Sequence, residues 1–213
     1  MYKRQEINRA PAKTQAALFE VMEEQQVSID GETYKMNTPF MIVATQNPID
    51  MEGTYRLPEA QMDRFLFKIN VDYPSLEEEV KIIEGFHEMK NKNDLNQIQP
   101  ILTEETIQKN RDLVNQVYVD QKLIRFIAQL VQRTRNNPNI LIGASPRASL
   151  GLLKGAKAMA VIRGRDFVTP EDILDIAVPV LNHRIVLTPE KEMEGDNSEK
   201  LIHQLMKSLE VPR

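Results

Sequence analysis

The hydrophobic pattern of the chain changes period near residue 75. Before it, apolar residues come in short runs broken by turn signals; after it, most segments repeat at helical spacing. Met1–Arg4 is mostly polar, and no strand is predicted there. Regular patterning begins at Pro11, suited to a first helical position because it has no N–H to leave unpaired. Ala16, Ala17, Leu18, Val21 and Met22 predict that helix's apolar face, with Glu20, Glu23 and Glu24 on its wet face. Residues 27–34 alternate around Asp30-Gly31, which predicts a protruding β-hairpin because both turn positions must tolerate positive φ. Phe40–Ala44 reads as a buried parallel strand, 45–58 as the loop at its carboxyl end, and 59–63 as a helical turn. Leu66–Val71 reads as a further strand, ended by Tyr73-Pro74.

From Ser75 the pattern is helical. Ser75-Leu-Glu-Glu78 is a capping box, and helices are predicted over 76–89, 104–117, 121–135, 146–163 and 170–181. Ser75, Thr103, Asp120, Ser145 and Thr169 are their caps, and Pro follows two of these directly. Leu123, Phe126, Ile127, Leu130 and Val131 make one stripe, the signature of a bundle core. Residues 90–99 and 189–197 read as loops, and 198–209 as a loosely attached final helix. The change of period divides the chain into an α/β portion, 1–74, and an all-α portion, 75–213.

Composition narrows the function classes. With 41% hydrophobic and 27% charged residues in 213, the chain is of ordinary globular type, and no apolar run approaches the ~20 residues of a membrane span. The net charge of −4, with acids and bases interspersed, disfavours a nucleic-acid role. Without cysteine there are no disulfides, thiolate metal sites or thiol nucleophiles, and the first residues lack a secretory apolar core, so the expected compartment is the cytoplasm. His87, His183 and His203 have no zinc-type spacing, and no metal ligands are assigned. No G-x-x-x-x-G-K-[ST] phosphate loop occurs; Gly151-Leu-Leu-Lys-Gly155-Ala-Lys157 has the wrong spacing and reads as helix packing.

Four residues are candidates for chemistry. Glu6 precedes the first helix, where an acid also suits the helix dipole. Asn47 follows the Phe40–Ala44 run, where an amide can meet a phosphate oxygen and orient a water, or form an Asx turn before Pro48. Arg64 is either a partner for a carboxylate of its own chain or a cation offered to a neighbouring subunit. Arg147 lies in the first turn of a helix, where a cation opposes the dipole by ~0.3–1 kcal/mol; that placement suggests an anion partner, either a ligand or an intramolecular carboxylate.

The segments EINRAPAKTQ, QQVSIDGETY, ATQNP, GTYRLPEAQMDRFLFKI and GASPRASLGLLKGAKA, in this order over nearly the whole chain, resemble the MoxR family of AAA+ ATPases. That resemblance implies part of a P-loop NTPase (AAA+) α/β core with a C-terminal all-α lid. It implies ATP and Mg as cofactors of the intact protein, a homo-oligomeric, usually hexameric, ring, and chaperone-like remodelling of partner proteins. A protein with a von Willebrand factor A domain is an implied partner. By position, Glu6 resembles the Walker B glutamate that activates water, Asn47 sensor 1, Arg64 the arginine finger and Arg147 the sensor 2 arginine. The hairpin resembles the pre-sensor 1 hairpin. Walker A and most of Walker B are missing from the pattern, and Gln5 stands where the magnesium-associated Asp belongs. The expectation is a truncated family member that alone neither binds ATP tightly nor hydrolyses it. A non-catalytic interaction module and a magnesium-chelatase-like AAA+ subunit are the alternatives.

Overall fold

Although polar residues open the chain, Tyr2–Arg4 forms a strand, β1. The computed structural model describes residues 2–4, 7–29, 31–46, 57–88 and 98–212. A 3-10 turn, Ile7–Arg9, follows β1, and then helix α1, Ala12–Glu24. Helix α1 buries Gln15, Phe19 and Val21, whereas the predicted face residues Ala16 and Ala17 are exposed. The larger Phe19 ring reaches the small cluster made with Ile7 and Leu57, and Leu18 and Met22 pack against its edge. Gln15 is buried because its amide is satisfied, donating to the carbonyls of Ile7 and Ala10, both at 3.2 Å.

Gln25 ends α1 in the left-handed region at φ 53°, its N–H bonded to the Val21 carbonyl at 3.1 Å. The chain then enters the predicted hairpin: β2, Gln26–Ile29, pairs antiparallel with β3, Glu32–Lys35, with Ile29 opposite Glu32. Between the two strands Gly31 takes φ +85°, a backbone region that glycine adopts without strain. Strand β4, Ile42–Ala44, pairs in parallel with β1, Arg4 lying opposite Ala44. The ladder explains the unpredicted β1, since partner backbone outweighs side-chain polarity in so short a strand. β4 is half-buried rather than buried, with Val43 exposed.

Helix α2, Glu59–Met62, occupies the predicted turn, but 66–71 is not a strand. A ladder needs successive backbone pairs. This segment instead lies along the end of a later helix, bonding Lys68 N–H to the Pro179 carbonyl at 2.9 Å, and leaves Ile69 and Val71 exposed.

The helices follow: α3 Leu76–Glu88, α4 Glu104–Gln116, α5 Gln121–Arg135, α6 Pro146–Ile162, α7 Pro170–Leu181, α8 Pro189–Met193 and α9 Ser198–Lys207. The Ser75 capping box is present, the Ser75 N–H donating to Glu78 Oε2 at 2.9 Å. Thr103, Asp120 and Ser145 accept from the first-turn amides of their helices. At α7 Asp172 completes the box with Thr169. Burial pushes the Asp172 carboxyl up, but hydrogen bonds from Arg165, Thr169 and Arg163 outweigh it and hold the group below its ordinary value.

The predicted α5 stripe is buried and packs with α6, α7 and α9 into one core. Gly151 and Gly155 let α6 approach closely: a Cβ on Gly155 would stand 2.6 Å from Ile176 Cδ1. Residues 189–193 form α8 inside a predicted loop, and α9 is docked rather than loose, because Leu201, Ile202 and Leu205 repeat on its core side. A short ribbon, β5 Ile140–Ile142 against β6 Val186–Leu187, also pairs antiparallel within the bundle. Predicted loop residues 90–97 lie outside the described residues. No helix among the described residues is long and apolar enough to cross a membrane.

Candidate functional site

Asp63 holds two distant pieces of chain together. Its Oδ1 accepts from Arg184 Nε at 2.9 Å, and its Oδ2 accepts from Ser145 Oγ at 2.8 Å. Arg184, just beyond α7, is almost fully enclosed and donates also to the backbone carbonyls of Asp63 at 3.0 Å, Phe65 at 2.5 Å, Leu66 at 3.1 Å and Val180. Burial pushes the Arg184 guanidinium down from its ordinary value, opposed by the Asp63 carboxylate. His183 beside it donates from Nε2 to the Phe65 carbonyl at 3.0 Å. Burial, reinforced by the adjacent Arg184 charge, lowers the His183 pKa to about 4, so the imidazole is neutral near pH 7.

This polar clasp fixes the neighbours of its members. Arg64 follows Asp63 at the end of α2, and Arg147 lies two residues beyond Ser145 in the first turn of α6. Both guanidiniums reach the same carboxylate: Arg64 Nη1 pairs with Glu23 Oε2, and Arg147 Nη2 with Glu23 Oε1. Glu23 lies in the last turn of α1, and beside it opens a shallow recess of about 330 Å³ lined by Phe19, Glu20, Glu24, Gln61 and Arg64. The intramolecular carboxylate that the sequence left open as a partner for Arg64 and Arg147 is therefore one residue, Glu23. Two guanidiniums on a single carboxylate form an anion-holding arrangement, since each fork can engage oxygen acceptors directionally.

Glu6 and Asn47 lie outside the described residues. The strands leading toward them pair in parallel, and Ile7 N–H donates to the Thr45 carbonyl at 2.9 Å. The sequence reading missed Glu23, Asp63, Arg184 and the joining role of Ser145. A signal for Arg184 was available: His183-Arg184 interrupts the apolar positions Val180, Leu181, Ile185 and Leu187, and a cation so placed needs a buried partner. Nothing in the spacing of Glu23 separates it from Glu20 and Glu24. Among the described residues, no group of three or more acidic or histidine side chains is placed to hold a metal.

Comparison with known proteins gives a consistent result. Residues 2–67 match a family model described as "ATPase family associated with various cellular activities (AAA)", and residues 132–205 match "AAA lid domain". Chaperone MoxR1 of Mycobacterium tuberculosis is 42% identical over 98% of this chain and 56% of its own length. Protein YeaC of Bacillus subtilis, described as uncharacterized, is 41% identical over 97% of this chain and 64% of its own length. A crystal structure from Cytophaga hutchinsonii, whose protein carries a provisional ATPase designation, superposes with a TM-score of 0.89 at 39% identity, covering 99% of this chain and 66% of that one. The chain thus spans less than two thirds of these curated relatives.

Proposed function

Because this chain belongs to the MoxR-like AAA+ ATPases, we propose that it is the sensor-and-lid part of an ATP-driven machine that remodels partner proteins. In this reading Glu6 activates the attacking water and Asn47 orients it. Arg64 is offered to the nucleotide of an adjacent subunit, and Arg147 reaches the γ-phosphate of that same nucleotide from the lid. The observation that carries the reading is the convergence of Arg64 and Arg147 on the Glu23 carboxylate from distant parts of the chain. The two cations are held where an anion is bound, and transfer of a phosphoryl group from ATP is limited by positioning and charge stabilisation of that kind. ATP supplies the group transferred; the residues supply direction and charge. The Mg accompanying ATP is assigned no residue and no step.

Assembly into a homo-oligomeric ring follows from Arg64 acting on a neighbour, and a von Willebrand factor A domain protein remains the proposed partner. The chain alone is proposed neither to bind ATP tightly nor to turn it over. Calorimetry and a phosphate-release assay test this: saturable micromolar binding, with turnover lost on Glu6→Gln, would overturn it. Joined to the portion of the B. subtilis relative outside the matched region, the chain is expected to gain turnover. Arg64→Ala should then lower it by ~10³-fold or more, and unchanged turnover in that variant refutes the finger assignment.

A second reading, a non-catalytic interaction module, is favoured by α3. Its Leu76, Val80, Ile83 and Phe86 repeat at helical spacing and are all exposed. Partner binding by a joined protein that never turns over ATP would favour it.

A further inference from the structure

Resting on the reading of Arg64 and Arg147 as phosphate-facing residues, we propose that Glu23 is a built-in competitor. Its carboxylate occupies the place between the two guanidiniums that a terminal phosphate takes, and must leave before such a phosphate can bind.

Three features lead to this. Both Glu23 oxygens are committed, Oε2 to Arg64 and Oε1 to Arg147, so the carboxylate uses the bidentate capacity that a phosphate would use. The neighbouring acids have other partners: Glu20 accepts from Ser28 Oγ at 2.6 Å, Glu24 accepts from Gln26 Nε2 at 3.1 Å, and Asp63 is held by Arg184 and Ser145. Glu23 thus stands apart from its neighbours in the acidic recess. Finally, the two cations are carried by elements locked by the Asp63 clasp, whereas Glu23 is a half-exposed side chain near the end of a helix, at 41% exposure. A change of rotamer there releases the carboxylate to water without moving the backbone that positions either arginine.

The exchange is favourable in charge. A carboxylate presents one negative charge and two oxygens; a terminal phosphate presents up to two charges and three oxygens to the same forks. Glu23 therefore lowers apparent affinity for phosphates by the fraction of time it occupies the guanidiniums. It also shields two neighbouring cations from each other when no phosphate is present. Glu23 is a positioning residue on this account, acting on the reaction through Arg64 and Arg147.

The test is calorimetric titration of the full chain with inorganic tripolyphosphate at fixed ionic strength, comparing wild type, Glu23→Gln, Glu23→Asp and the double variant Arg64→Gln/Arg147→Gln. Circular dichroism checks the fold of each. Glu23→Gln keeps the shape and removes the competing charge, and is expected to bind at least ~10-fold more tightly than wild type. Glu23→Asp, which keeps the charge, should stay near wild type, and the double arginine variant should lose binding. A general structural role for Glu23 predicts the opposite, weaker binding in Glu23→Gln. If Glu23→Gln binds no better than wild type while the arginine variant loses binding, the competitor idea fails and the phosphate-facing reading stands. If the arginine variant binds like wild type, both fail. Absence of binding by Glu23→Gln at millimolar tripolyphosphate also overturns the proposal.

Discussion

The two ends of this chain are held by different forces. In the C-terminal bundle, α5, α6, α7 and α9 enclose a continuous core of 24 buried apolar residues, whereas the N-terminal cluster among the described residues contains Ile7, Phe19 and Leu57. The bundle closes on itself through helix faces that meet one another. Among the described residues, the N-terminal portion has a two-stranded parallel sheet with a half-buried strand, and it is tied to the bundle by the polar contacts of Asp63, His183 and Arg184. Apolar burial adds up over many contacts, while a polar clasp depends on a few groups remaining paired. The bundle should therefore tolerate changes in conditions that loosen the N-terminal portion.

The largest expected effect is in the bundle. Phe126 is 1% exposed, and Phe126→Ala should lower stability by ~3–5 kcal/mol in urea denaturation. Phe19→Ala should leave bundle amides protected from hydrogen exchange, and loss of protection in both regions would show that they unfold as one unit.

Acid should act next, through His183. Its folded pKa of about 4 lies below the ordinary 6.5, so the unfolded chain takes up the proton first. The stability that this neutral imidazole supports is complete above pH ~6.5 and declines as pH falls toward 4, by up to ~3 kcal/mol. His183→Gln should flatten that part of the stability–pH curve, and an unchanged slope would refute the assignment. Asp63→Asn comes third, at ~2 kcal/mol, a value reduced for the carboxylate's partial exposure, because it removes the counter-charge of enclosed Arg184. It should also uncouple the regions, seen as earlier exchange of the Lys68 amide that bonds to Pro179. The smallest change is Thr103→Ala, at ~0.5–1 kcal/mol by circular dichroism, since the cap of α4 supports a helix without buried residues.

Local signals in the sequence were read well where one element decides its own structure. The caps at Ser75, Thr103, Asp120 and Ser145, the Asp30-Gly31 hairpin and the α5 stripe all depend on neighbours a few residues away. Apart from α8, whose Thr188-Pro189 start is a local signal, misreadings fell where a distant partner decides. β1 forms because β4 lies beside it; 66–71 lacks a ladder because α7 lies beside it; α9 docks because the bundle offers it an apolar face. Of the candidate site, Arg64 and Arg147 were legible as cations needing an anion, but the anion was not, because Glu20, Glu23 and Glu24 are equivalent as letters in a helix.

Residue order alone was sufficient for the hairpin, helices α1 and α3–α7, the apolar stripe of the bundle and the family resemblance, since each follows from short-range periodicity or from a contiguous motif. Tertiary structure decided that Asp63 joins Ser145 to Arg184, that His183 stays neutral, and that Glu23 stands between Arg64 and Arg147. Those outcomes depend on distances between groups far apart in the chain, and such distances exist only once the segments between them have packed.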